Sequence, residues 1–120
     1  MQQIQNQDIL FIINPHSGKK RVAEIIESIN SNYPDITTIV TNNLEELEKV
    51  FISNLEKFTV FIVVGGDGTV NEATKYLQNR NDKFLGVLPL GSGNGFAREL
   101  GFQNSIDSLI FNIISWYSVD

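Results

Sequence analysis

Apolar runs alternate with amphipathic segments along this chain, and the alternation predicts strands that alternate with helices. Runs that are apolar throughout are typical of strands buried on both faces of a parallel sheet. Asp8–Asn14 and Thr59–Ile62 are runs of this type, and two further strands are predicted at Ile36–Thr41 and Leu85–Leu88. We expect these runs to form the sheet.

Between these runs, apolar residues recur at helical spacing. The first helix is marked by apolar Val22, Ile25, Ile26 and Ile29, with Lys20, Arg21, Glu24 and Glu27 facing solvent. The second is marked by Leu44, Leu47, Val50, Phe51 and Leu55, with Asn43 at its N-cap. A third helix, with Asn71 and Glu72 in its first turn, is expected to run through about Leu77. Further helical segments are expected at Phe96–Leu100 and Ile106–Trp116.

This order of elements predicts one α/β layered domain over residues 1–120, with a mostly parallel sheet joined by right-handed crossovers. In such sheets, ligands bind beyond the carboxyl ends of the strands. Glycine-bearing loops follow the first, third and fourth predicted strands and therefore meet at that edge. Their convergence favours a nucleotide or phosphate site.

The composition, with 42% hydrophobic and 19% charged residues, is that of an ordinary soluble chain. A net charge of −5 gives no basic footprint, which argues against nucleic acid as a partner. The chain has no cysteine and only one histidine, His16, so thiolate and histidine-cluster metal sites are excluded. No apolar run approaches about 18 residues, and we expect a cytoplasmic protein.

The turn Gly65-Gly66-Asp67-Gly68-Thr69 follows the third strand. Its glycines allow close approach of a ligand, and amides beside a helix N-terminus attract anions such as phosphate. Asp67 would repel a bare phosphate, so it suits a metal ion, a ribose hydroxyl or a substrate hydroxyl. The alternative is an ordinary turn in which Asp67 caps the helix.

A second glycine block, Gly91-Ser92-Gly93-Asn94-Gly95, could also hold phosphate or form a plain loop. Neither block fits the dinucleotide pattern, because Phe96 and Asn71 stand where its third glycine belongs. A Walker A loop near Gly18-Lys19 is excluded, because Ile13 stands where the first glycine of that motif belongs. The sequence does not decide whether certain basic residues contact phosphate or face solvent. These residues are Lys19, Lys20, Arg21 and Arg98.

Three blocks in order carry a family resemblance. Gly65–Glu72 resembles the signature shared by diacylglycerol, sphingosine and NAD kinases and phosphofructokinases, and its Val70-Asn71-Glu72 extension favours the lipid kinases. Pro89–Arg98 resembles the Pro-x-Gly-Thr-Gly-Asn-Asp-Phe-Ala-Arg block of bacterial diacylglycerol-kinase-like enzymes, and Asn14–Gly18 resembles their first block. Ser92 replaces the usual threonine and Gly95 the usual aspartate, which leaves the lipid substrate open.

The resemblance implies the Rossmann-like amino-terminal nucleotide-binding domain of a diacylglycerol kinase or NAD kinase type of enzyme. It also implies that the family's second, β-rich domain, which supplies most Mg²⁺ ligands, is absent from this chain. The implied ATP contacts are Asn14, Thr41, Gly65, Gly66, Asp67, Gly68, Thr69, Val70, Asn71, Glu72, Gly91, Ser92 and Asn94. Asp67 is the implied catalytic residue.

The implied reaction is transfer of the γ-phosphoryl group of ATP to a lipid alcohol such as diacylglycerol at a membrane surface. NAD kinase and a non-catalytic nucleotide-binding module are the alternatives. Alone, the domain is expected to fold, to bind nucleotide weakly and to lack kinase activity. Ile110, Ile113, Ile114 and Trp116 could form an apolar surface that supports a homodimer.

Overall fold

A computed structural model of the protein describes residues 4–15, 19–89 and 107–108, without the side chains of residues 19–21 and 89. Within these residues, strands and helices alternate along the chain. The strands are β1 (Ile9–Ile13), β2 (Thr37–Val40), β3 (Val60–Gly65) and β4 (Phe84–Pro89). The helices are α1 (Lys19–Asn32), α2 (Leu44–Asn54) and α3 (Asp67–Leu77).

The four strands form one parallel sheet in the order β2-β1-β3-β4. This arrangement confirms the α/β fold and the parallel sheet predicted from the sequence. β1 pairs with β2 on one side and with β3 on the other. The chain therefore adds its second strand on one side of β1 and its third and fourth strands on the other side, so the strand order reverses between β1 and β3. A crevice opens at such a reversal, beyond the carboxyl ends of the two central strands, and it is where α/β sheets bind ligands.

Helices cover both faces of the sheet, which is why β1 is buried along its whole length. Alternate side chains of β1 enter different cores, because successive strand residues point to opposite faces. Ile9, Phe11 and Ile13 pack with Val22, Ile25 and Ile29 of α1. On the other face, Leu10 and Ile12 pack with residues of α2 and α3, among them Leu47, Phe51, Ala73 and Leu77.

The third helix begins earlier than the sequence pattern indicated. We expected Asn71 and Glu72 in its first turn, and this was wrong, because α3 begins at Asp67 with Gly66 as its N-cap. The amides of Thr69 and Val70 donate to the Gly66 carbonyl at 3.1 and 3.2 Å and close the first turn there. The early start has a packing reason: Thr69, Ala73 and Leu77 lie four residues apart and are all buried.

The predicted strand bounds agree with the structure to within one or two residues for β1, β2 and β4, whereas β3 extends through Gly65. Of the two helical segments expected after Phe96, only residues 107–108 are described, and these are helical. The apolar surface predicted at Ile110–Trp116 lies outside the described residues. In the described part of the chain, no helix combines the length and apolarity needed to cross a membrane.

Ion pairs brace the amino-terminal edge of the sheet, where α2 and α3 end and β4 begins. The Arg80 guanidinium donates to Glu56 and to Asp82, each at 3.1 Å. These hydrogen bonds hold the pKa of both carboxyl groups below its usual range. Lys83 Nζ donates to the Phe58 carbonyl at 2.6 Å. The charged groups of Arg80, Glu56, Asp82 and Lys83 therefore have structural partners.

Phe51 should carry much of the packing between α2, α3 and the sheet. It is fully buried, stacks on Tyr76 with ring centroids 5.4 Å apart, and makes a tilted ring contact with Phe61 at 5.6 Å. We predict that Phe51→Ala lowers the free energy of unfolding by about 3–5 kcal/mol, measured by chemical denaturation. The matched control is Ile52→Ala, since Ile52 is 65% exposed, and it should change stability by less than about 0.5 kcal/mol. Similar losses in both variants would contradict this packing.

Candidate functional site

The ends of all four strands meet at the carboxyl edge of the sheet. Asn14 follows β1 and Thr41 follows β2, and both continue the ladder: the Asn14 amide donates to the Val64 carbonyl and the Thr41 amide to the Ile13 carbonyl, each at 2.9 Å. Pro89, which opens the second glycine block, pairs in register with Gly65. These residues lie at the edge predicted from the sequence, whereas most of the glycine-bearing loops after β1 and β4 lies outside the described residues.

A chain of buried hydrogen bonds joins the ends of β1 and β2 to the first turn of α3. The Thr41 hydroxyl donates to Asn14 Oδ1 at 3.0 Å, and Asn14 Nδ2 donates to Thr69 Oγ1 at 3.0 Å. Asn14 is 6% exposed, and Thr41 and Thr69 are each 1% exposed. Buried polar groups are costly unless they are paired, and here each one finds its partner in another segment. We call these three residues the buried triad.

Gly65 is required by the packing of this triad. A Cβ at position 65 would lie 2.7 Å from Thr69 Oγ1 and 3.0 Å from the Asn14 carbonyl oxygen. Contacts this short force atoms to move, and both neighbours belong to the buried part of the site. The first glycine of the motif therefore serves internal packing.

Gly68 differs from Gly65, because it lies in the first turn of α3 and is exposed. Of the described residues, a Cβ there would meet only Leu44, at an ordinary contact distance of 4.0 Å. Packing against these residues therefore does not demand glycine at position 68. A missing side chain at an exposed helix position leaves room for another molecule to approach the backbone.

The start of α3 offers backbone donors to that open space. Its N-cap is Gly66, which has no side chain to cap the helix. The amides of Asp67 and Gly68 precede the first intrahelical bonds, so they have no carbonyl partner within the helix. The Asp67 side chain is exposed in the same turn. Amides without intrahelical partners at a helix N-terminus favour anions.

The next residues of α3, Val70 to Glu72, divide between the core and the surface. Val70 is half-buried and packs with the α2–α3 core. Asn71 is exposed, one turn after Asp67, and lies on the same side of the helix. The Glu72 side chain is 12% exposed and pairs with Lys75 at 3.1 Å. Asp67, Gly68 and Asn71 are thus the residues of the stretch that face solvent.

Several candidate residues fall outside the described part of the chain. They are Gly91, Ser92, Asn94 and Arg98. The backbone of Lys19–Arg21 forms the first turn of α1, but the side chains of these residues are not described. Their expected contacts with a nucleotide or with phosphate stay predictions.

The sequence analysis did not predict that the turn between β2 and α2 would lie next to the first turn of α3. Asn43 caps α2, as predicted, by accepting from the Glu46 amide at 2.9 Å. Glu46 Oε1 in return accepts from the Asn42 amide at 3.0 Å. Leu44 was assigned to the apolar face of this helix, yet it is 47% exposed and lies beside Gly68. The only sequence signal for this was its position directly after the cap.

Acidic groups near the site do not form a metal centre on their own. Among the residues that the structure describes, no group of three or more histidine, cysteine or acidic side chains could hold a metal ion. The first turn of α3 contributes a single carboxylate, Asp67. These residues could supply one ligand, directly or through water, to an ion held mainly by other groups.

Comparison with known proteins identifies relatives over nearly the whole chain. The sequence model of the diacylglycerol kinase catalytic domain matches residues 8–117. A sphingosine kinase B from Dictyostelium discoideum is 30% identical over 88% of this chain and 15% of its own length. An NAD kinase from Clostridium tetani is 37% identical over 81% of this chain and 35% of its own length.

A solved structure has the same fold. The crystal structure of a diacylglycerol kinase from Bacillus anthracis strain Sterne aligns with a TM-score of 0.58 and 30% identity, over 79% of this chain and 37% of that one. The chain thus spans little more than a third, at most, of the length of these relatives.

The two glycines should respond in opposite ways to the same substitution. Gly65→Ala forces a methyl group against Thr69 and Asn14, and we predict that it lowers the free energy of unfolding by about 1–3 kcal/mol. Gly68→Ala should keep stability or raise it by up to about 1 kcal/mol, because alanine is the better helix former. Thermal or chemical denaturation of the two variants checks this. A destabilised Gly68→Ala variant would contradict the open space at that position.

Proposed function

The chain belongs to the diacylglycerol kinase catalytic domain family, and we propose that it forms the nucleotide-binding part of an ATP-dependent lipid kinase. Its acceptor would be the hydroxyl of diacylglycerol or a similar lipid alcohol, reached from the cytoplasm at a membrane surface. Because the chain spans only part of its relatives' length, the activity is proposed for the whole natural protein.

One observation carries the proposal: the first turn of α3 combines backbone amides that have no partner within the helix with a flank at Gly68 that the described residues leave open. It lies beyond the carboxyl ends of β1 and β3, where the strand order reverses. The open flank allows phosphate groups to come within hydrogen-bonding distance of the backbone. The residues present therefore fit a nucleotide phosphate chain as substrate.

In this proposal, the phosphates lie over Gly66–Gly68 and the rest of the nucleotide extends toward Thr41 and Asn14. The remaining contacts proposed from the family motifs come from Gly65, Thr69, Val70, Asn71, Glu72, Gly91, Ser92 and Asn94. Gly65 and Thr69 would act through the packing described above, since Thr69 is 1% exposed. Asp67 and Asn71 are exposed and could reach the ligand with their side chains.

Phosphoryl transfer requires positioning and charge stabilisation more than covalent chemistry by the protein. The acceptor hydroxyl oxygen forms a bond to the γ-phosphorus while the bond to the β–γ bridging oxygen breaks, so ADP leaves. The hydroxyl proton must be taken up by a base or by the product phosphate. Asp67 would either accept a hydrogen bond from that hydroxyl or orient Mg²⁺ through water. When bound, Mg²⁺ neutralises phosphate charge, and its other ligands would come from outside the described residues.

Asp67 should matter for turnover but not for folding, because its side chain is exposed. In the natural protein, we predict that Asp67→Ala lowers kcat by at least about 100-fold. Asp35→Ala is the matched control, since Asp35 is an exposed acid in the turn before β2, and it should keep full activity. Phosphorylated lipid is the readout, and circular dichroism verifies the fold. An active Asp67→Ala enzyme would refute the assignment.

NAD kinase is the second candidate, favoured by the 37% identity to the clostridial enzyme. The block Pro89–Arg98 supports the lipid kinase instead, because it resembles the second block of that family. We predict that radiolabelled ATP, incubated with the natural protein and either NAD or extracted lipid, labels the lipid. Labelled NAD phosphate with unlabelled lipid would reverse the choice. Labelling of neither, with ATP still bound, would favour the non-catalytic module.

The 120-residue chain by itself should bind Mg-ATP more weakly than micromolar and transfer no phosphate. One wall of a cleft leaves most of the nucleotide hydrated and its phosphates incompletely held. Calorimetric titration, paired with the transfer assay, measures both properties. Micromolar or tighter binding, or turnover, would show that this chain holds a more complete site than we propose.

A further inference from the structure

We propose that Thr69 is a positioning residue: through Asn14 and Thr41, its hydroxyl fixes the first turn of α3 onto the ends of β1 and β2. The anchoring follows from the geometry alone. Its consequence for nucleotide binding rests on the proposed function.

Thr69 is placed to act on the turn and not on a ligand. It follows Gly68 directly and lies two residues after Asp67, yet it is 1% exposed while both of those residues are exposed. Its amide donates to the Gly66 carbonyl at 3.1 Å, which closes the turn from the inside. A side chain this buried changes what the turn presents only by holding its backbone.

The anchor reaches across the sheet. Asn14 Nδ2 donates to Thr69 Oγ1 over a separation of 55 residues, and Asn14 Oδ1 accepts from the Thr41 hydroxyl over a separation of 27 residues. One amide side chain therefore binds β2 through its oxygen and α3 through its nitrogen. Since Asn14 and Thr41 also continue the backbone ladder, the far end of the anchor is rigid.

Gly65 leaves the space that the Thr69 hydroxyl occupies. The Thr69 hydroxyl lies 2.7 Å from the position that a Cβ of residue 65 would take. The hydroxyl can therefore reach Asn14 only because position 65 has no side chain. This assigns Gly65 to the anchor and leaves Gly68 as the glycine that faces a ligand.

Two substitutions at position 69 separate the hydroxyl from the shape of the side chain. Thr69→Val keeps the shape but removes the acceptor, which leaves Asn14 Nδ2 buried without this partner. Thr69→Ser keeps the hydroxyl and removes only a methyl group. The matched control is Thr74→Val in the same helix, because the Thr74 hydroxyl is exposed and donates to the Val70 carbonyl within the helix at 2.8 Å.

The primary experiment is amide hydrogen exchange on the 120-residue chain, followed by NMR. The reporter is the Val70 amide, which donates to Gly66 in the first turn, and the Ala73 amide one turn later is the reference. In Thr69→Val, protection at Val70 should fall by about tenfold more than at Ala73, which corresponds to about 1.4 kcal/mol of local opening. Thr69→Ser and Thr74→Val should stay within about threefold of the wild type.

Equal loss of protection at Val70 and Ala73 in Thr69→Val would overturn the proposal, since it would show general destabilisation. Equal loss in the serine and valine variants would also overturn it, because packing of the methyl group would then be the cause. If Thr69→Val does not fold, Thr41→Val provides the test from the far end of the anchor. It should lower protection at Val70 selectively, and wild-type protection there would overturn the proposal.

A parallel titration with Mg-ATP, followed through the amide resonances of the same proteins, tests the consequence for binding. The dissociation constant should rise about tenfold in Thr69→Val and stay within about threefold in Thr69→Ser. Wild-type protein that binds no Mg-ATP would count against the proposed function alone, and the exchange result would still decide the anchor. Wild-type affinity in a Thr69→Val protein with a loosened first turn would refute the positioning role.

Discussion

The pairing of β1 with both β2 and β3 is the constraint on which the rest of the structure depends. β1 is buried on both faces, and its parallel register with two neighbours brings segments that are far apart in sequence to one edge of the sheet. Asn14, Thr41 and Gly65 meet there because each follows or ends one of these strands. The helices on either side then close two cores over the sheet.

Around this edge, the motif residues divide between internal support and exposed surface. Thr69 and Gly65 are committed to buried contacts, whereas Asp67, Gly68 and Asn71 are open to solvent. A motif can therefore combine residues that shape a site with residues that touch its ligand. Because the net charge is −5, the proposed anion binding would depend on backbone amides, local cations and Mg²⁺, not on a basic surface.

Much of the fold could be predicted because the apolar pattern of each element is strong. The uninterrupted apolar run at Ile9–Ile13 and the helical spacing of Val22, Ile25 and Ile29 indicate buried elements from the sequence pattern alone. The order of elements then places the site at the carboxyl edge. Asn43 was recognisable as a cap because asparagine before an apolar helix is favoured there.

The start of α3 and the buried triad could not be predicted in the same way. Asp67, Gly68 and Thr69 are poor helix formers, so local propensity indicates a loop, and burial of the Thr69, Ala73 and Leu77 side overrides it. Thr69 is polar, and its burial depends on Asn14, a partner 55 residues away. The exposure of Leu44 depends on how α2 packs at its first turn, and helical periodicity does not report this.

A crystal structure of the chain with a non-hydrolysable ATP analogue and Mg²⁺ would test the central claim most directly. We predict phosphate oxygens within about 3.2 Å of the amide nitrogens of the Gly66–Gly68 turn, with the ligand in contact with Gly68 Cα. Thr69 should keep its hydrogen bond to Asn14 beneath them. Phosphates bound away from this turn, or a ligand that leaves the flank of Gly68 empty, would contradict the account.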